Sequence, residues 1–178
     1  MKKEISKNII CIPETDKQKR FLLGKRGKSM LLAVGLNPST ADENKLDPTS
    51  RNIETIAKLN GCDGWLLINL CPLRTSNPKK LPKKVNIKLI YENEKFIRDV
   101  IQKDRLNITK ILFCWGNYLD KRSYLKKQSI NILNLLENEK PIIYCLGKTR
   151  LGNPFHPSPM AINRFLGGLS KLRLKKMY

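Results

Sequence analysis

The stretch MLLAVGLNP at residues 30–38 decides the fold that this sequence predicts. Its first five residues are apolar without interruption and end at Gly35, a pattern typical of a parallel strand that is buried on both faces. The loop after such a strand lies at the carboxyl edge of the sheet, where α/β proteins bind their ligands. We therefore expect a buried strand over residues 30–34 and a candidate site in the loop over residues 35–42.

Similar apolar runs recur along the chain, separated by segments with helical spacing. Further core strands are predicted at residues 65–68, 111–115 and 141–145. Helices are predicted after the N-cap Asp47 and Pro48, and at residues 87–103, 120–137 (with Asp120 as the cap) and 161–169. Strands that alternate with helices predict an α/β fold: a three-layer sandwich with a central, mostly parallel four-stranded sheet and helices on both faces.

The length of 178 residues predicts a single domain over residues 1–178. Residues 1–28 contain two short strand signals, at residues 8–12 and 20–23, and are predicted to form an N-terminal hairpin or arm. Residues 170–178 are rich in lysine and arginine and are predicted to form a basic tail. Both ends are thus expected to lie outside the central sheet.

Nothing in the sequence indicates a membrane segment, a metal site or a cofactor. No apolar run approaches the length of a membrane span, and the first residues lack the apolar region of a signal peptide. The five cysteines include no C-x-x-C pair, which argues against a disulfide framework, a zinc site or an iron–sulfur cluster. We expect a cytoplasmic monomer with reduced cysteines, no cofactor and no membrane partner.

The strongest compositional feature is positive charge. The chain has 35 Lys and Arg residues against 15 Asp and Glu, a formal net charge of +20. Such an excess favours a polyanion partner, with nucleic acid as the first candidate; the alternative is a proteome that is lysine-rich throughout because its genome is rich in A·T pairs. Residues 77–84, where prolines and lysines alternate, are either a plain surface loop or a segment that approaches a phosphate backbone.

Three polar residues follow predicted strands and are expected to meet at one edge of the sheet. Asn37 follows the first core strand, Asn69 closes the second, and His156 lies in a loop after the fourth. An asparagine in an apolar run needs partners, either backbone groups or a ligand. Prolines at positions 157 and 159 stiffen the His156 loop, which is either a rigid connector or a placed hydrogen-bond donor.

Four motifs, in this order along the chain, resemble the uracil-DNA glycosylase superfamily. They are Gly-Leu-Asn-Pro at residues 35–38, Leu-Leu-Ile-Asn at 66–69, Leu-Phe-Cys-Trp-Gly-Asn-Tyr at 112–118 and His-Pro-Ser-Pro-Met at 156–160. They resemble the superfamily's water-activating loop, its uracil-reading strand, its Trp-Gly strand end, and its loop with the catalytic histidine and DNA wedge. Asn-Pro-Ser-Thr-Ala-Asp at residues 37–42 also resembles the signature of a poorly characterised domain family, which indicates a divergent branch.

The resemblance implies hydrolysis of the N-glycosidic bond of uracil in DNA. By that resemblance Asn37 would position the attacking water, and His156 would donate a hydrogen bond to uracil O2 as negative charge develops on the leaving base. Asn69 would read the uracil edge with its amide, which carries both a donor and an acceptor. Because an asparagine cannot accept the proton of water as a carboxylate can, we expect slower chemistry than in members with aspartate at the first position.

The resemblance also implies contacts to the substrate and to single- or double-stranded DNA around this centre. Further substrate-binding residues would be Leu36, Pro38 and Ser39, and the DNA contacts would be Ser158, Met160 and Arg164. Ser158 and Arg164 would touch phosphates. Met160 stands at the wedge position, where it either inserts into DNA to hold a flipped base out of the stack or simply belongs to the core.

Two departures from the superfamily pattern favour an alternative. Ser39 stands where the most uracil-specific members have a tyrosine that excludes thymine, and residues 22–64 contain no aromatic residue to stack on the base. Trp115 and Tyr118 are candidates to replace that aromatic residue. The alternative is a non-catalytic, glycosylase-like protein that binds DNA or an acidic, DNA-mimicking glycosylase inhibitor.

Overall fold

One β-sheet with helices packed against both faces forms the centre of the protein, whose computed structural model describes residues 9–102, 106–137 and 142–177. The strands are β1 (Ile9–Ile12), β2 (Leu22–Lys25), β3 (Met30–Gly35), β4 (Gly64–Asn69), β5 (Ile108–Phe113), β6 (Ile143–Cys145) and β7 (Lys175–Lys176). The α-helices are α1 (Pro48–Leu59), α2 (Ile87–Gln102), α3 (Ser123–Glu137) and α4 (Pro159–Phe165). Short 3-10 turns lie at Pro78–Lys80, Asn117–Lys121 and Leu169–Lys171.

The sheet has seven strands in the order β1-β2-β4-β3-β5-β6-β7 and is mixed. The pairs among β4, β3, β5 and β6 are parallel, whereas β1, β2 and β7 pair with their neighbours in the antiparallel direction. The prediction of a central, mostly parallel four-stranded sheet is therefore wrong, although the chain is an α/β protein. The error arose because both chain ends were expected to lie outside the sheet, and both extend it.

The N-terminal hairpin extends one edge of the sheet. β1 pairs with β2, and β2 in turn pairs with β4, so that Leu23 lies opposite Leu67. Leu22 and Leu23 point to opposite faces and both are buried, which makes β2 an interior strand by its packing. Asn8, the first residue of the predicted strand over 8–12, lies outside the described residues.

The C-terminal segment extends the other edge. β7 pairs with β6, and the amide of Met177 donates to the carbonyl of Ile143 at 2.9 Å. Leu172 is only 4% exposed, and the Leu174 amide donates to Asn60 Oδ1 at 2.9 Å. These contacts, rather than solvation, fix the segment predicted as a basic tail; its last residue, Tyr178, lies outside the described part.

Two apolar clusters lie on opposite faces of the sheet. Alternate residues of β3 and β4 enter one cluster with α2 and α3, and the remaining residues enter the other with α1 and α4. Every residue of β3 and β4 is buried, as their apolar runs predict. Burying each large apolar side chain contributes about 1.5–3 kcal/mol, so these two strands anchor the fold.

The helix boundaries agree with the sequence signals at some ends and differ at others. The predicted start of α1 is confirmed, because Asp47 caps it and accepts from the Ser50 amide at 2.8 Å. The predicted cap of α3 is wrong: the helix begins at Ser123, and Asp120 lies in the preceding 3-10 turn, where it pairs with Lys126 at 3.1 Å. α4 begins at Pro159, two residues earlier than predicted.

The remaining boundaries shift by a few residues. β5 spans Ile108–Phe113, so it begins before residue 111 and ends before Trp115. Pro141 in the predicted fourth strand and Lys103 at the predicted end of α2 both lie outside the described residues. Within the described residues no helix is long and apolar enough to cross a membrane.

Leu172→Ala should lower the free energy of unfolding by about 2–5 kcal/mol, because it removes a buried side chain from the cluster under α1 and leaves a cavity. The urea midpoint at neutral pH measures this loss. Leu151→Ala is the matched control, since Leu151 is 67% exposed and its truncation should leave the midpoint nearly unchanged. Equal midpoints for the two variants would mean that the C-terminal segment does not pack as described.

Candidate active site

A cavity of about 640 Å³ opens at the carboxyl ends of β3 and β4. Its volume falls within the range of about 300–1,000 Å³ that is typical of small-molecule sites. The candidate residues that line it are Asn37, Ser39, Asn69, His156, Ser158 and Met160. Leu36, Pro38 and Arg164 are not among its lining residues, and Leu36 and Pro38 are buried. The strand-end residues predicted to converge therefore do share one cavity.

Asn69 ends β4 directly opposite Gly35 in the parallel pair. A Cβ atom at position 35 would lie 2.7 Å from Asn69 Oδ1, so the glycine makes room for this amide. The side chain is 2% exposed, and Asn69 Nδ2 has no hydrogen-bond partner among the described residues. Because an unsatisfied buried donor costs about 1–3 kcal/mol, this amide is well suited to a ligand acceptor.

Asn37 is held in a single orientation by the backbone around it. Its Nδ2 donates to the carbonyls of Pro38 and Thr75, both at 2.9 Å, and more weakly to that of Leu73 at 3.4 Å. The amide nitrogen is thereby fully engaged in the loop. Oδ1 remains as the acceptor that Asn37 can offer to a water or a substrate in the cavity.

The His156 loop is tied to three separate parts of the structure. The Phe155 amide donates to the Gly147 carbonyl at 3.0 Å, and the Gly116 amide donates to the Pro154 carbonyl at 3.0 Å. From α1, Asn52 Nδ2 donates to the Pro157 carbonyl at 2.9 Å. The loop is thus fixed by hydrogen bonds as well as by its prolines.

Gly116 allows the loop to come close to the end of β5. Its φ of 74° lies in the left-handed region, which favours glycine. A Cβ atom there would lie 3.2 Å from His156 Cβ. Gly116, the glycine of the predicted Trp-Gly motif, therefore leaves the space that His156 occupies.

His156 is neutral at physiological pH. Burial lowers the pKa of its imidazole to about 4, and the nearby Asp47 carboxylate opposes this shift only in part. A neutral imidazole carries one N–H donor and one acceptor nitrogen. It can therefore donate a hydrogen bond to developing negative charge without being a cation itself.

Three candidate DNA contacts occupy different places around α4. Ser158 caps this helix and accepts from the Ala161 amide at 3.3 Å. Met160 lines the cavity yet is 67% exposed, so the interpretation of this residue as core is wrong. Arg164 lies away from the cavity lining, with its guanidinium 5.4 Å from the ring centroid of Phe165.

No Phe, Tyr or Trp side chain is among the described residues that line the cavity. Trp115 is 4% exposed and packs against Phe113 at 4.5 Å between ring centroids. Tyr118 instead lies under the Arg122 guanidinium, 5.5 Å away. Neither residue replaces the missing stacking aromatic.

The basic loop over residues 77–84 borders the cavity. Pro78 is a lining residue, and the lysines at positions 79, 80, 83 and 84 are exposed. Arg122 holds the loop in place by donating to the Leu81 carbonyl at 2.8 Å and the Pro82 carbonyl at 3.1 Å. A strip of positive charge therefore lies next to the cavity mouth.

Arg20 is a charged cavity residue that sequence reasoning missed, as it missed the hydroxyl-bearing lining residues Thr40, Thr75 and Ser76. It is 1% exposed, and its Nη1 donates to the Ala41 carbonyl at 2.7 Å. Burial lowers the pKa of Arg20 to about 10, so the side chain remains charged at neutral pH. The sequence gives no indication of this burial, because an arginine just before the apolar residues of a strand is normally expected to be solvated.

The structure indicates neither a reactive cysteine nor a metal site among the described residues at the cavity. Cys114 lines it, but burial raises the pKa of this thiol to about 12, which leaves it protonated and unreactive at neutral pH. All five cysteines are buried and free. Across the described ranges there is no group of three or more His, Cys, Asp or Glu residues that could hold a metal ion.

Comparison with known proteins identifies a family. The family model described as "Protein of unknown function (DUF1643)" matches residues 20–158, a span that begins at Arg20 and ends at the His156 loop. No curated protein and no solved structure matches the chain significantly.

Acid should destabilise the protein through His156. The folded pKa of about 4 lies below the ordinary value of 6.5, so the unfolded chain takes up the proton first, and stability is lost as the pH falls from 6.5 toward 4. His156→Gln removes this component, and we expect its urea midpoint to fall less than that of the wild type over this range. Identical pH dependence in the two proteins would contradict the lowered pKa.

Proposed function

We propose that this chain, which belongs to the DUF1643 family, is a DNA glycosylase that hydrolyses the N-glycosidic bond of uracil in DNA. The observation that carries the proposal is that Asn37, Asn69 and His156 line one cavity at the carboxyl edge of parallel strands. Each supplies a different function that the reaction requires. The resemblance of the four sequence motifs to the glycosylase superfamily supports the same assignment.

His156 would stabilise the leaving base. Cleavage of the glycosidic bond leaves a uracil anion, with negative charge on O2. A neutral imidazole N–H donates to this oxygen, and the burial that lowers the pKa of His156 also strengthens such a hydrogen bond. The donor is already in position, because hydrogen bonds hold the loop on both sides of the histidine.

Asn69 would select the base. Its unpartnered Nδ2 suits uracil O4, and its Oδ1 suits the N3–H of uracil. Cytosine presents an amino donor and an unprotonated ring nitrogen at the same edge, which matches this amide orientation less well. Gly35 leaves room for Oδ1 at the strand end, and the surrounding packing restricts the amide before the base enters.

Asn37 would position the attacking water through Oδ1, since its Nδ2 is engaged by backbone carbonyls. An amide cannot take the proton of that water. The reaction then depends on stabilising the leaving group, and we expect a slow enzyme compared with glycosylases that carry aspartate at this position.

DNA would approach across the basic loop and α4. The net charge of +20 and the exposed lysines of residues 77–84 suit the phosphate backbone, whether the substrate is single- or double-stranded. Met160 is exposed at the cavity rim and suits the wedge that keeps a flipped base outside the duplex. We place the protein in the cytoplasm, where its buried cysteine thiols stay reduced.

One observation favours a second candidate function. Stacking is worth about 1–3 kcal/mol per base, and no described aromatic residue lines this cavity. The chain would then be a non-catalytic, glycosylase-like protein that binds DNA or an acidic, DNA-mimicking inhibitor through its basic face. Binding of uracil-free DNA without release of uracil from any substrate would favour this function over the enzyme.

Incubation with a uracil-containing oligonucleotide, followed by alkaline cleavage, tests the enzyme directly. We expect strand scission with the wild type. His156→Ala should slow it by about 100- to 1,000-fold, the usual effect of removing one donor to a developing oxyanion. Asn69→Ala should slow it by about 10- to 100-fold, because two hydrogen bonds of roughly 0.5–1.5 kcal/mol each are lost.

Asn134→Ala is the matched control, since this asparagine is exposed on α3 and distant in the chain from every cavity residue. It should retain full activity. Absence of scission by folded wild type at high protein concentration would refute the glycosylase.

Met160→Ala should distinguish a wedge from a simple rim residue. We expect uracil release from double-stranded DNA to fall about tenfold, because the wedge offsets part of the few kcal/mol that base flipping costs. Release from single-stranded DNA should be unchanged. Ile87→Ala, which truncates an apolar residue that is 79% exposed on α2, serves as control. Equal losses on both substrates would argue against a wedge.

A further inference from the structure

The buried charge of Arg20 has no described counter-ion. Its Nε has no hydrogen-bond partner among the described residues, and none of the described ion pairs includes Arg20. Among the described residues its side chain makes one hydrogen bond, from Nη1 to the Ala41 carbonyl. A buried cation without a partner is costly, and arginine at such positions commonly meets an anion.

A second arginine converges on the same carbonyl. Arg74 Nη1 donates to the Ala41 carbonyl at 2.9 Å and to the Ser39 carbonyl at 3.1 Å. The charge of Arg74 is, after burial, the next cause of the lowered pKa of Arg20. Two guanidinium groups therefore repel each other across one carbonyl group.

The two carboxylates that act on Arg20, Asp47 and Asp42, are engaged elsewhere. A third, Glu43, interacts with Cys11, and its buried Oε2 has no hydrogen-bond partner among the described residues. Asp47 accepts from the amide and the hydroxyl of Ser50, both at 2.8 Å, as the cap of α1. Asp42 accepts from the Lys45 amide at 2.9 Å and lies 4.0 Å from the Lys17 ammonium. They reduce the positive potential at Arg20 but do not pair with its guanidinium.

The cavity that contains Arg20 and the one that contains Arg74 share hydroxyl-bearing lining residues. Arg20 lines the main cavity, and Arg74 lines a smaller neighbouring cavity of about 270 Å³ together with Lys17. The residues common to both linings all carry hydroxyls: Ser39, Thr40, Thr75 and Ser76. The Thr75 hydroxyl donates to the Asn77 carbonyl at 3.1 Å, which leaves the hydroxyls of Ser39, Thr40 and Ser76 as donors. Such a hydroxyl rim beside buried positive charge suits an oxyanion with several acceptor oxygens.

We propose that Arg20 and this hydroxyl rim form a subsite for a phosphoryl group. A phosphoryl group accepts both the planar fork of a guanidinium and separate bonds from hydroxyls. The phosphate belongs either to a nucleotide monoester or to a phosphodiester of DNA. That the phosphate belongs to a nucleotide or to DNA rests on the proposed function. That the site binds an anion does not, because it follows from the buried charge of Arg20.

Calorimetric titration of the full chain with dUMP and with deoxyuridine tests the subsite. We expect dUMP to bind the wild type at least tenfold more tightly than deoxyuridine does. Arg20→Gln should weaken dUMP binding by about 10- to 100-fold, the loss expected for a charged hydrogen bond, and leave deoxyuridine binding unchanged. Arg98→Gln, which removes an exposed charge from α2, is the matched control and should bind dUMP as the wild type does.

Urea unfolding establishes that each variant is folded. Should Arg20→Gln fail to fold, Ser76→Ala alters an exposed rim residue and should still weaken dUMP binding several-fold. A uracil-containing oligonucleotide titrated in parallel separates the two sources of phosphate. Arg20-dependent binding of dUMP supports a monoester, and Arg20-dependent binding of the oligonucleotide alone supports a phosphodiester.

The outcomes separate this subsite from the glycosylase. Arg20-dependent dUMP binding without uracil release would refute the enzyme and leave the subsite standing. Conversely, the protein could release uracil while neither dUMP binding nor oligonucleotide binding depends on Arg20. That result would overturn the subsite and leave the enzyme standing.

Discussion

The parallel register of β3 and β4 places Gly35 opposite Asn69, and the candidate site depends on this pairing. A slip of one residue would turn every side chain of β4 to the other face of the sheet and remove the amide from the cavity. Both strands are buried along their whole length, so such a slip would also expose apolar residues of two clusters. The packing that stabilises the fold therefore also fixes the amide.

Several groups around the cavity reduce stability. Asn69 Nδ2 and Arg20 Nε are buried without partners among the described residues. Burial also disfavours the protonated form of His156 and so keeps its imidazole neutral. Native proteins accept such costs mainly where function requires prearranged polar groups. The apolar clusters on both sides of the sheet offset these costs. Asn69 and Arg20 both line the same cavity.

The sequence predicted the parts of this arrangement that depend on local pattern. The apolar runs identified β3 and β4 to within one residue at each end, and Asp47 followed by Pro48 identified the start of α1. The two strands of the N-terminal hairpin were also predicted, but their place in the sheet was not, and β7 was missed. The pairing of β2 with β4 and of β7 with β6 joins segments far apart in the chain, which a local pattern does not reveal. Nor does it reveal Arg20, whose burial results from packing between β1, β2 and the loop after β3, and not from its neighbours in sequence.

The absence of a stacking aromatic changes how this cavity would have to work. Stacking on an aromatic side chain provides affinity for any base, and polar groups then provide selectivity among the bases. Here no described aromatic residue contributes, so capture and choice would both fall to the amide of Asn69, the imidazole of His156 and the buried charge of Arg20. Directional polar contacts lose most of their value when geometry is imperfect. The hydrogen bonds that fix Asn37 and the His156 loop are therefore the feature that would let such a cavity bind a base without stacking it.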